Sequence, residues 1–194
     1  PLNICITVFG EVPAGQALLR SGARAGDELW VSGQLGHARL ALEALLGHVQ
    51  PPADLLEQAR QRLEAPTPRV ALGLALRGIA SSALDVSDGL LGDLGHILDL
   101  SKVGATVDSR LTTPLIAASA YPSSAAWQFD SKIQQLCTLA GGDDYELCFT
   151  APATRHADVL AAGVASSTPV HYIGHIDAQP GLRVLSADGQ PMPN

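Results

Sequence analysis

The stretch that most constrains this chain runs from Ser82 to Leu98. Ser82-Ala83-Leu84-Asp85-Val86-Ser87 reads as a short extended run, and a helix is expected from near Asp88. Leu90, Leu91, Leu94, Ile97 and Leu98 then fall at i, i+1, i+4, i+7 and i+8, so one helical face is apolar. A strand that turns straight into such a helix must lay that face against a sheet or another helix.

The same alternation of periods recurs along the chain. Tyr145 to Thr150 alternates in period two and reads as a strand. Further strands are expected at Ile4–Phe9, Glu28–Ser32, Ala105–Val107, His171–Ile176 and Leu182–Leu185. A helix is expected from about Leu35 to Leu46, with Leu35, Ala38, Leu42, Leu45 and Leu46 on one face. A second has Asp54 in its first turn and a stripe of Leu55, Leu56, Ala59 and Leu63. Val70–Ile79 and Ile133–Leu139 read as helices, and another follows Pro152, which suits a first helical position. The Ala-, Ser- and Pro-rich stretch 112–129 predicts no element. Few of these are joined as strict βαβ units. The expected fold class is α/β of the two-layer α+β kind, a mixed sheet packed against helices.

Composition bounds the partners. Hydrophobic residues make up 46% and charged ones only 16%, so a core is available. Twelve Lys and Arg against 19 Asp and Glu give a net charge of −7, which lacks the basic footprint of a nucleic-acid binder. An acidic chain acting on phosphates needs metal cations or a few placed arginines. No apolar run approaches the about 18–20 residues of a membrane span, so no membrane partner is expected. Cys5, Cys137 and Cys148 form no CxxC pair and read as thiols of a reducing compartment, the cytoplasm. The single methionine is Met192 and the chain opens on Pro1, so a piece of a longer protein is expected.

Two acidic motifs could carry chemistry. In Asp85-Val86-Ser87-Asp88-Gly89, two carboxylates three positions apart at a strand-to-helix turn can converge on one Mg²⁺ that also holds substrate phosphates. The same residues also read as an ordinary N-cap beside a solvated Asp85. In Gly141-Gly142-Asp143-Asp144-Tyr145-Glu146, two glycines permit close backbone approach before two acids. On composition alone, an acidic turn capping a strand is the reading to prefer. Arg20, before Ser21-Gly22-Ala23, gains meaning only if it faces a phosphate. GxSxG, P-loop and GxGxxG signatures are absent, and no residue stands out as a general base.

Together these segments resemble the thiamine-monophosphate kinase family, within the aminoimidazole-ribonucleotide-synthetase-like superfamily. The Asp85–Leu90 motif continuing through Asp93–Leu98 looks like its core motif. Gly141–Thr150 looks like its second, and Gly10–Pro13, Arg20–Ala23, Gly26-Asp27 and Val31–Gly33 match its interdomain stretch. The likeness runs from the first residue to about Gly189.

The resemblance implies a two-domain homodimer that phosphorylates thiamine phosphate with ATP to give thiamine diphosphate. Residues 1–15 would be the last strand and linker of an N-terminal domain, and 16–194 the C-terminal α/β domain. Carried over by position, Asp85 and Asp88 would hold Mg²⁺, Ser87 and Arg20 would contact ATP, and Asp143 would contact thiamine phosphate. Asp143 stands where many relatives carry Glu. The family's other aspartate- and threonine-rich metal motifs and its C-terminal aromatic segment have no counterpart in this sequence. This stretch alone is therefore expected to fold and not to catalyse. The alternatives are another superfamily enzyme with a different acceptor, or a non-catalytic ligand-binding domain.

Overall fold

A computed structural model describes residues 3–116, 130–186 and 188–192. Six strands form one mixed sheet in the order β2-β4-β1-β5-β3-β6. They are β1 (Asp27–Ser32), β2 (Ser82–Val86), β3 (Gly104–Asp108), β4 (Glu146–Pro152), β5 (Val170–Asp177) and β6 (Gly181–Leu185). Every pairing is antiparallel except β3 with β6. The helices are α1 (His37–Leu45), α2 (Ala53–Glu64), α3 (Val70–Ala75), α4 (Leu90–Ser101), α5 (Ser109–Thr112), α6 (Ser131–Gln135) and α7 (His156–Ala165).

β1 and β4 lie inside the sheet, so their residues are buried on both faces. Leu29, Trp30 and Val31 are at most 1% exposed, as are Cys148 and Phe149. Successive strand residues point to opposite faces, and the core divides accordingly. Leu29, Val31, Leu84, Val86, Cys148 and Ile173 pack under Leu90, Leu94, Ile97 and Leu98 of α4. Trp30, Ala83, Phe149 and Ala151 pack on the other side against Leu72 and Leu76, at α3, and against Val159 and Ala162 of α7. The expected mixed sheet against helices is present, and helices cover both of its faces. A smaller cluster joins α1 to α2 through Leu40, Ala41, Leu55 and Ala59. Each buried Leu or Phe here contributes about 1.5–3 kcal/mol relative to leaving it in water.

Several expectations need correction. Residues 4–9 form no strand, because no described strand lies beside them. Ile4, Ile6, Val8 and Phe9 are 77–92% exposed instead. On α1 the buried face is His37, Ala38, Leu40 and Ala41, while Leu45 and Leu46 face solvent. That rotation follows from α1 packing on α2 and on Cys137. α3 ends at Ala75, short of Ile79, and Gly78 turns the chain at φ 72. Pro152 closes β4 and caps a short 3₁₀ turn ahead of α7 rather than standing inside the helix. The stretch 112–129 lies largely outside the described residues, beyond α5 and the 3₁₀ turn at Thr113–Leu115.

Candidate active site

The two acidic motifs meet backbone to backbone. β2 ends at Val86, and the loop that follows hands the chain to α4. β4 pairs with β2, with Asp85 opposite Leu147 and Val86 opposite Glu146. That register draws the 141–145 turn alongside the 86–89 loop. Asp143 N–H donates to Ser87 O, and Tyr145 N–H to Val86 O, both at 2.9 Å. Asp143 and Tyr145 adopt left-handed φ values of 66° and 51° to make this fit. Gly142 allows the close approach, since a Cβ there would lie 2.3 Å from Ser87 O.

α4 starts at Leu90, so neither Ser87 nor Asp88 is its N-cap; Gly89 is, with φ 106°. The N–H groups of Ser87 and Asp88 point instead to buried Asp93, whose Oδ2 accepts from both at 2.9 Å. This leaves the Asp88 side chain exposed and Ser87 half-buried. Asp85 is exposed on the β2 face that looks into a groove of about 450 Å³. Its walls include Pro66, Pro68, Val70, Leu147 and Tyr145, with Arg69 as the cationic member. Arg20 is exposed on the outer edge of β2, next to Leu19, whose carbonyl accepts from Ala83 N–H at 2.9 Å. Ser87 and Asp143 are therefore brought together, Asp85 and Asp88 flank the same turn, and Arg20 lies along the same strand.

No cluster of three or more His, Cys, Asp or Glu side chains fit for a metal occurs among the described residues. Two exposed carboxylates and a hydroxyl match the usual Mg²⁺ arrangement, in which one or two carboxylates share the ion with substrate phosphates and waters. The set suits a cation that arrives with a nucleotide more than a preformed cage.

Beside the turn lie residues that sequence reasoning passed over. Asp144 is fully buried and accepts from Gly36 N–H at 2.5 Å and Ala38 N–H at 3.2 Å, capping α1 from 108 and 106 residues away. Burial pushes its carboxyl up to about 7 against the pull of those two donors. Glu146 is also fully buried. It accepts from Ser32 Oγ at 2.5 Å, from Arg62 Nη2 at 2.5 Å, and from Arg69 Nε and Nη2 at 2.7 and 2.6 Å. Gly33, at φ 56°, leaves the space this carboxylate fills. A carboxylate in a period-two run signals a strand position and nothing about arginines 77 and 84 residues away. Arg62 also borders a second, polar cleft with His37, whose buried Nδ1 has no hydrogen-bond partner among the described residues.

A thiamine-monophosphate kinase from Salmonella typhimurium is 38% identical over 99% of this chain. The chain is a homologue of the thiamine-monophosphate kinases. It spans 57% of the length of that relative. The thiamine-monophosphate kinase structure from Stenotrophomonas maltophilia is 40% identical, with a TM-score of 0.78 over 93% of this chain and 56% of that one. The thiamine-monophosphate kinase homologue AaThiL, solved complexed with AMPPCP and TMP, is 28% identical, with a TM-score of 0.70 over 91% of this chain and 52% of that one. Escherichia coli HypE shares the fold alone, at 18% identity and TM-score 0.70, over 95% of this chain and 54% of that one. The fold is thus the aminoimidazole-ribonucleotide-synthetase-like one shared by the thiamine-monophosphate kinases and HypE. No protein-family model matches the chain. No described helix is long and apolar enough to cross a membrane.

Proposed function

We propose that this chain supplies the C-terminal part of an ATP- and Mg²⁺-dependent kinase that converts thiamine phosphate to thiamine diphosphate. The observation that carries the reading is the junction of the two acidic turns, where Asp143 N–H meets Ser87 O. It sets the strand end and loop that carry Asp85, Ser87 and Asp88 against the turn that carries Asp143, which supports the reading. Phosphoryl transfer needs little covalent help and much positioning and charge neutralisation. Asp85 and Asp88 hold Mg²⁺, which neutralises phosphate charge when bound. Ser87 and Arg20 contact ATP, and Asp143 faces thiamine phosphate. Residues 1–15 belong to the edge and linker of an N-terminal domain, and 16–194 form the C-terminal domain. The full-length protein acts as a homodimer in the cytoplasm. Cys5, Cys137 and Cys148 of this chain are free thiols, as a reducing compartment keeps them.

The test is a coupled ADP assay on the full-length protein with thiamine phosphate and a panel of other phosphorylated and unphosphorylated acceptors. Thiamine phosphate is the preferred acceptor. Asp85→Asn and Asp88→Asn each reduce turnover by about 10²-fold or more at limiting Mg²⁺, with unchanged circular dichroism. Preference for a different acceptor, or near-normal turnover by both variants, overturns the assignment.

A further inference from the structure

We propose that Arg69 is an anion-contacting residue of the groove beside Asp85, and that Glu146 is the positioning residue that aims it. The anion is a phosphate ester, and the inference rests on the phosphotransferase reading above.

The argument begins with the fork. Arg69 gives Nε and Nη2 to the two oxygens of Glu146, which fixes the guanidinium plane. Its Nη1 makes no hydrogen bond to a described residue, and the side chain keeps 16% of its exposure. Arg69 lines the groove as its cation, among Pro66, Pro68, Val70, Leu147 and Tyr145, and Asp85 lines it too. An apolar groove strengthens a charged contact formed within it.

Charge points the same way. Two guanidinium groups, Arg62 and Arg69, face the single carboxylate of Glu146. Glu146 is shared between the two, so Arg69 has no carboxylate to itself, and Arg62 also faces buried Asp144, whose carboxyl it pulls down against the push of burial. Both Glu146 oxygens are saturated by Ser32, Arg62 and Arg69, so the carboxylate cannot turn to bind a cation itself. Glu146 is thus no cation ligand, while an anion carried into the groove meets a guanidinium that is already oriented. Asp85, which lines the same groove, repels a bare anion and accepts one that carries a metal ion, so the arrangement selects a metal-associated phosphate.

Steady-state kinetics on the full-length protein separate the sources of that phosphate. KM for ATP and KM for thiamine phosphate are measured independently for Arg69→Lys, Glu146→Gln and the double variant Arg69→Met/Glu146→Gln. Lysine keeps the charge and loses the fork. The double variant removes Glu146 and Arg69 together and leaves only Arg62 facing an amide, and circular dichroism establishes that each variant assayed is folded. The expected result is a rise of about tenfold or more in one of the two KM values in Arg69→Lys and in the double variant, with kcat less affected. The KM that moves identifies the phosphate. Both KM values within about twofold of wild type in folded variants overturn the inference. Wild-type protein that transfers no phosphoryl group to any acceptor overturns the functional reading instead, and with it the inference.

Discussion

Asp93 sits on α4 but serves the loop before it. Its carboxylate, 3% exposed, takes the N–H groups of Ser87 and Asp88, which no helix hydrogen bond satisfies. Asp93→Ala leaves both donors without their acceptor and lowers stability by about 2–4 kcal/mol in urea denaturation. Asp93→Asn keeps one acceptor oxygen and loses less. A change within about 0.5 kcal/mol for the alanine variant contradicts this role. A second residue-scale effect concerns pH. Burial lowers the His37 imidazole to about 4, so the folded state holds it neutral. The unfolded chain protonates it below about 6.5. His37 therefore withdraws stability as pH falls from about 6.5 and has withdrawn it fully at about 4. Asp144, raised to about 7, acts in the opposite sense: the folded state takes up its proton first, so its contribution declines as pH rises from about 4 to 7. The two limbs offset one another. His37→Gln removes one of them, so relative to wild type the variant gains about 2–3 kcal/mol on going from pH 7 to pH 4.5. Chemical denaturation at the two pH values checks it, and parallel curves for the two proteins rule it out.

At the scale of elements, the decisive contact is the one between the 86–89 loop and the 141–145 turn. Gly142 and Gly89 are the two points where backbone meets backbone. A Cβ on Gly89 would lie 2.8 Å from the Ala140 carbonyl, just as one on Gly142 would strike Ser87 O. Gly142→Ala must push the turns apart, at a cost of about 1–3 kcal/mol and a weakening of Mg·ATP binding. Gly92, on the exposed face of α4 with nothing within 4 Å, provides the contrast. Gly92→Ala raises stability by about 0.5–1 kcal/mol through helix propensity alone. Thermal melts and nucleotide titration of the pair settle it: two variants with the same behaviour refute the close-packing account. Periodicity made α4 legible because its apolar spacing and its buried face coincide. It misplaced the face of α1, because that helix packs on α2 and the 136–140 turn. The strand expected at 4–9 was read from β-branched content, and a strand exists only where a neighbour completes its ladder.

The whole molecule is a sheet with cores on both faces and an apolar stretch that neither core covers. Ile4, Ile6, Val8 and Phe9 are exposed along one unpaired segment, the kind of feature that associates with another chain. The purified 194-residue chain is expected to unfold cooperatively and to self-associate through this segment. Ile6→Ser/Phe9→Ser makes it monomeric without moving its melting temperature. Analytical ultracentrifugation reads the outcome, and equal association of both forms assigns it elsewhere.

What the amino-acid order determined by itself is local. The spacing of leucines in α4, the alternation in β4 and the placement of Asp85, Ser87, Asp88 and Asp143 in two turn motifs can all be read without a fold, since each depends on near neighbours and backbone preference. The strand order β2-β4-β1-β5-β3-β6, the burial of both sheet faces and the meeting of the two motifs depend on pairings between distant segments. So do the roles of the buried acids. Asp144 and Glu146 stand two apart on one short run, yet one caps α1 and the other clasps two arginines. Nothing in the run distinguishes them. Only the packed structure does, because a buried carboxylate takes its role from whichever donors the tertiary fold brings within hydrogen-bond reach.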